Sequence, residues 1–322
     1  MAIVKYLNPR NDIAFKKIFG TEKNKDILIH FLNDVIERKD KKEITKVRLL
    51  NPMQHPEIIG KKQSVVDVLC EEEDGTQYIV EMQVAKVAGF EKRAQYYAAK
   101  AYASQPDSGE TYDHLKEVIF LAITEYLMFP NKEDYKSVHV ILDKKTQEQD
   151  LKDFSFTFME LPKFKKEIDE LKSHEDRWCY FFKHANDPED IGGLIDSSDE
   201  VIKKAYNQLE AHNWTNEELR AYEASEKQAK DAKSREVFVQ QEARQEGIAE
   251  GIKKGREEGR EKGKAEGIKK GIAEGIKKGI AEGVEEGIKK VALNMLLKKL
   301  DEKIISESTG LSVEEIKKLK QN

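Results

Sequence analysis

The sequence predicts an α/β domain with a mixed central sheet flanked by helices, followed by an elongated helical tail. Three observations carry this. Strand-like and helix-like patterns alternate through the first 185 or so residues, as they do where helices cover a sheet. No strand pattern reappears from Asn216 onward. Eleven of the 19 glycines recur at every fourth position from Gly247 to Gly287, giving the last part of the chain a period of its own. The domain is therefore assigned to 1–185, a helical linker to 186–246, the glycine repeat to 247–290 and a small helical C-terminal element to 291–322.

Each element has a local reason. Asn11 or Asp12 caps a short helix through Phe19, and Gly20 ends it. Asn24 opens a second helix, whose apolar residues Ile27, Phe31, Leu32, Val35 and Ile36 follow helical spacing. A strand over Ile44 to Leu50 stops at Asn51-Pro52, and Ser64 to Val84 reads as a β-hairpin turning at Asp74-Gly75. An Ala-rich helix from about 88 to 104 carries Tyr96, Tyr97 and Tyr102. Lys116 to Thr124 is an apolar strand, and the β-like runs 138–142 and 154–161 complete the sheet, the last ended by Pro162. Residues 164–183 and 199–213 look helical.

Composition narrows the function. Of 322 residues 36% are charged, against about 25% in an average domain, so the excess must lie on solvated helices. The longest uninterrupted apolar run, Val118 to Ile123, falls far short of the roughly 20 residues that cross a bilayer. Met1 to Tyr6 has no charged lead, apolar core or cleavage site that would direct secretion. Cys70 and Cys179 are too few for a disulfide framework or a zinc knuckle, and a cytoplasmic location is the simplest expectation. The net charge of −5 hides an asymmetry: Gly247 to Lys299 holds 14 Lys/Arg against 9 Glu, leaving this stretch at +5 and the rest at −10. The seven histidines show no paired ligand spacing, and no phosphate-cradling glycine loop with its Lys is present.

The chemistry concentrates on the hairpin. Side chains alternate along a strand, so Ile79, Glu81 and Gln83 share one face while Tyr78, Val80 and Met82 share the other, which is core. Asp67 is likewise embedded in Val65-Val66-Asp67-Val68-Leu69, and a charge among apolar neighbours needs water, a partner or a metal. With a two-residue turn at Asp74-Gly75, paired residue numbers add to 149 and Asp67 meets Met82. With a three-residue loop ending in a left-handed Gly75, they add to 148 and Asp67 meets Glu81. The latter register would put the two Cβ atoms about 5 Å apart, near enough to share a divalent cation. The alternative is the solvent face of a half-exposed sheet.

Asp67, a hairpin turn and Glu81-Met82-Gln83 resemble the PD-(D/E)XK nuclease signature in the form with Gln in place of Lys. The surrounding sequence is similar to the recombination-promoting nuclease and transposase family of that superfamily. The shared landmarks are Asn11 to Gly20, Val66-Asp67-Val68, Val80 to Gln83, Arg93 to Tyr97 and Glu160 to Phe164. The resemblance implies a restriction-endonuclease-like core and a Mg²⁺-dependent (or Mn²⁺-dependent) DNA endonuclease, with Asp67 and Glu81 on the metal and Gln83 positioning water or substrate. It also implies Asp12 as an additional acidic group, an alternative to N-capping, while Lys86 and Arg93 are candidate cations. A Gln orients a water but carries no positive charge, so the rival reading is a catalytically weak DNA- or partner-binding protein with the same fold.

The tail is read with its alternatives open. Each interior helical Gly costs roughly 1 kcal/mol relative to Ala, which favours a solvated spacer, helical in part. Against this stand the helix formers between them, the Glu250–Lys254 spacing and an Ile after most of the glycines, which would serve a helix pair, a homo-oligomer or a basic contact with nucleic acid. Ile304 to Ile316 resembles a helix-turn-helix element, although its second helix opens on the acidic Val313-Glu314-Glu315, so a helical cap or dimerisation unit is the alternative.

Overall fold

The computed structural model describes residues 5–38, 42–54, 64–105, 111–187, 194 and 199–320. The chain divides into two compact units, Met1–Glu236 and Val237–Asn322. In the first, helices α1 (Asp12–Phe19) and α2 (Lys25–Val35) precede short strands β1 (Val47–Leu49), β2 (Met53–Gln54) and β3 (Ser64–Val65). The hairpin follows as β4 (Val68–Glu72) and β5 (Gln77–Gln83), then helix α3 (Phe90–Ala103) and strands β6 (Val118–Thr124), β7 (Lys136–Val140) and β8 (Phe154–Glu160). Helices α4 (His174–His184) and α5 (Glu200–Leu209) precede a long helix, α6 (Asn216–Leu297), and the short α7 (Glu302–Thr309) and α8 (Val313–Leu319).

Six strands form one mixed sheet in the order β1-β4-β5-β6-β8-β7, with β5, β6 and β8 parallel and the outer pairings antiparallel; β2 and β3 form a separate ribbon. Both faces of this sheet are covered, which is why β6 is apolar at nearly every position. Tyr78, Val80, Met82, Ile119, Leu121 and Ile123 face a large core with α1, α2, α4 and α5, where Phe19, Phe31, Trp178 and Phe182 interlock. Ile79, Phe120 and Ala122 face a smaller core under α3, with Phe90, Ala94 and Ala98.

Several boundaries differ from the sequence reading. The 164–183 stretch holds one 3-10 turn, Ile168–Glu170, before α4 begins at His174, because Ser173 and Asp176 form a capping box there. Asn11, not Asp12, is the N-cap of α1, accepting from the Ile13 N–H, and Asp12 is the first helical residue. Beyond residue 185, Tyr206, Leu209, Trp214 and Tyr222 are buried in the larger core.

In the second unit the glycine repeat is helical throughout, rather than in part. Its Ile residues 248, 252, 268, 272, 276 and 280 are 53–63% exposed, and four i, i+4 ion pairs, Glu250–Lys254 among them, decorate it. The helix expected at 291–300 is the end of α6. It packs with α7 and α8 around Ala292, Ile305 and Ile316. Gly310 turns in the left-handed region (φ +75°), and Ser312 with Glu315 caps α8. No helix among the described residues is long and apolar enough to cross a membrane.

Candidate active site

The hairpin takes the three-residue loop. Pairs Val68–Val80, Cys70–Tyr78 and Glu71–Gln77 each add to 148, and Gly75 sits at φ +90°, where a Cβ would strike the Lys116 side chain at 2.8 Å. In that register Asp67 is the residue across from Glu81. The ladder stops one residue short of them, since β3 ends at Val65 and β4 starts at Val68. The freed Asp67 N–H donates to Glu81 Oε1 (3.3 Å), and Asp67 Oδ2 accepts from the Met82 N–H (2.9 Å). The two carboxylates are thus held by one another's strands rather than by solvent.

Glu81 shares its face with Ile79 and lies under α3, so it is only 3% exposed; the half-exposed face considered from sequence does not exist here. Gln83 Nε2 donates to Glu81 Oε2 (2.9 Å), and Gln83 Oε1 accepts from Arg93 Nη2 (2.6 Å) on the first turn of α3. Arg93 is stacked over the Phe90 ring, which fixes its approach. Lys86 is exposed on the segment after β5 and takes no part in these bonds.

A second cation enters from α1. Lys16 Nζ lies 2.6 Å from Asp12 Oδ1 and 3.6 Å from Asp67 Oδ1. Sequence reasoning missed Lys16. The signal was present: it stands four residues after Asp12 and so shares its helix face. Asp12, with its side chain 48% exposed, reaches the cluster through Lys16 and directly raises the proton affinity of Asp67.

Burial pushes the Asp67 carboxyl above the ordinary range, against the pull of the Met82 N–H and Lys16. Burial and then the Asp67 charge push Glu81 up further, against the pull of Arg93. Burial pulls the Lys16 ammonium down, but its bond to Asp12 and the fields of Asp12 and Asp67 outweigh this and leave it raised. Two buried carboxylates resisting ionisation in each other's presence are a site that favours a positive charge. The donor set is oxygen only, which suits a hard divalent cation such as Mg²⁺ or Mn²⁺, so the residues present fit the metal that the resemblance implies.

The site sits at the carboxyl ends of parallel strands β5 and β6, where open α/β sheets bind ligands. A cavity of about 400 Å³ adjoins it, lined by Asp12, Met82, Arg10, Glu226, Lys230 and Lys233 among others. A larger cleft of about 890 Å³, lined by Arg48, Gly75, Gln77, Lys100 and Lys116 among others, lies by the hairpin turn and does not include the carboxylates.

Residues 9–236 match the family model described as PD-(D/E)XK nuclease family transposase, and residues 285–321 match the C-terminal HTH domain of the Rpn/YhgA-like nuclease family. Comparison with curated proteins and with solved structures gives no match. The first family match covers well over half of the chain and includes Asp67, Glu81 and Gln83. The chain therefore belongs to the PD-(D/E)XK nuclease family transposases.

Proposed function

We propose that the domain is a Mg²⁺-dependent DNA endonuclease acting in transposition or recombination, with Asp67 and Glu81 holding the ion and Gln83 positioning water or substrate. The observation that carries this is the buried Asp67–Glu81 pair, fixed by reciprocal bonds to the neighbouring strand and flanked by cations on both sides. A bound divalent cation would lower the pKa of a water and polarise a phosphodiester oxygen. Gln83 is held at both ends of its amide, so it presents a fixed orientation to whatever approaches Glu81. Arg93, 2.6 Å from Gln83, carries the positive charge that Gln lacks, and Lys16 carries a second one beside Asp67. DNA is the partner in this reading, and the HTH-matching residues 285–321 are its second contact.

Plasmid cleavage with Mg²⁺ tests the reading. Asp67→Ala is expected to lose cleavage, and Arg93→Gln to lose about 100-fold, the scale of one electrostatic donor to a developing oxyanion. Gln83→Lys in the Arg93→Gln background is expected to restore rate, because it returns a cation to the same place. Equal cleavage by the parent and Asp67→Ala would sink the enzyme reading. No cleavage by the parent, with DNA binding intact, would favour the weak binder that an uncharged, doubly engaged Gln83 suggests. Self-association through the tail belongs to the same proposal; an unchanged mass in solution after deletion of 247–287 removes it.

A further inference from the structure

The larger core carries a polar cluster that the nuclease reading leaves unused. His30 and Asp34 stand one turn apart on α2, and His174 opens α4. One ring nitrogen of each histidine and one Asp34 oxygen lie within 4.8 Å of one another. His30 Nδ1 is buried without a directed hydrogen bond, although Asp34 Oδ2 is only 2.8 Å away. At that separation the two groups are at hydrogen-bonding distance, the contact that a shared proton bridges.

The surrounding contacts are those of a supported ligand set. Trp178 Nε1 donates to Asp34 Oδ2 (2.8 Å), fixing that carboxylate. His174 Nδ1 lies 3.0 Å from Asp199 Oδ2, and Asp199 is itself held by the N–H groups of Val201 and Ile202 at the start of α5. A carboxylate on Nδ1 of this kind fixes the ring and leaves Nε2 free as a ligand. The His174 side chain is 53% exposed, against 25% for His30 and 17% for Asp34, so solvent reaches the cluster from one side.

We propose that His30, Asp34 and His174 form a transition-metal site of the Zn²⁺ class, two imidazoles and one carboxylate with solvent completing the coordination. Imidazole selects such ions over Mg²⁺, so this site and the oxygen-only carboxylates on the hairpin take different metals. With two ligands on α2 and one at the start of α4, the ion staples the two helices that carry Phe31 and Trp178.

Co²⁺ titration of the tag-free full chain tests this, since four-coordinate Co²⁺ gives intense visible absorption bands, far stronger than the weak ones of Co²⁺ in an octahedral oxygen site. The expected result is one equivalent bound with those bands, lost in His174→Ala and Asp34→Asn and kept in Asp67→Ala. Zn²⁺ is expected to raise the unfolding temperature of the parent and of Asp67→Ala but not of His174→Ala. The half-exposed His174 side chain makes that variant a mild one, and its metal-free unfolding temperature and circular dichroism check that it folds. Absent bands, or bands that survive His174→Ala, would overturn the proposal and leave the cluster as a hydrogen-bonded link between helices.

Discussion

Glu81→Gln is expected to abolish Mg²⁺-dependent cleavage and, in the same protein without metal, to raise stability. The loss should exceed the roughly 10–100-fold that removal of an outer-shell partner costs, because the proposed function puts Glu81 on the ion itself. The gain follows from linkage. Burial and the Asp67 charge move the Glu81 carboxyl from its ordinary 4.5 to about 8 in the folded chain. Between those values the folded state binds more protons than the unfolded one, so stability is highest at the acid end and falls as pH rises through the window. Gln keeps an acceptor for the Asp67 N–H and removes the charge, so its stabilising effect should be large near pH 8 and small near pH 5.

The same argument fixes the metal dependence. Under the proposed function the ion would take the place of protons that the carboxylates hold, so Mg²⁺ should raise the parent's unfolding temperature more near pH 8 than near pH 5. Urea unfolding of parent and Glu81→Gln, each in chelator and in Mg²⁺, measures both effects. Parallel pH profiles for the two proteins in chelator would show that the Glu81 carboxyl is not held up by burial, and the electrostatic account of the site would fail.

Replacing Gly263, Gly267, Gly271 and Gly275 by Ala is the second large effect. Each glycine lies inside α6, and a Cβ added at any of them meets nothing within 4 Å. Each substitution should therefore stabilise the helix by about 1 kcal/mol, or roughly 4 kcal/mol in all. The ion pairs along the tail, at about 0.3–0.5 kcal/mol each, recover only part of what the glycines cost. Thermal melting of the full chain, followed by far-ultraviolet circular dichroism, should show the tail transition moving up. A transition that stays or moves down would mean that the glycine stripe is in close contact with another surface.

The contrast between these regions explains what was legible. The Gly20 stop, the Ser312–Glu315 capping box and the Gly310 turn depend on residues a few positions apart, and the structure places them where local chemistry puts them. The carboxylate pair was legible as a pair of candidates but not as a geometry. Two registers fitted the hairpin, and the left-handed Gly75 selects the one that sets Asp67 across from Glu81. Burial of Glu81 was not legible, because it depends on α3 folding back over a face that alternation marks as polar.

The sequence by itself determined the α/β order, the family motif, the acidic pair and the periodic tail, since periodicity, caps and turn residues act over one or two turns of chain. Only the tertiary structure decided which charges meet. Lys16 stands beside Asp67 across 51 residues of sequence, and His30 faces His174 across 144. No spacing rule anticipates either meeting, because both follow from how α1, α2 and α4 pack to bury one continuous apolar core.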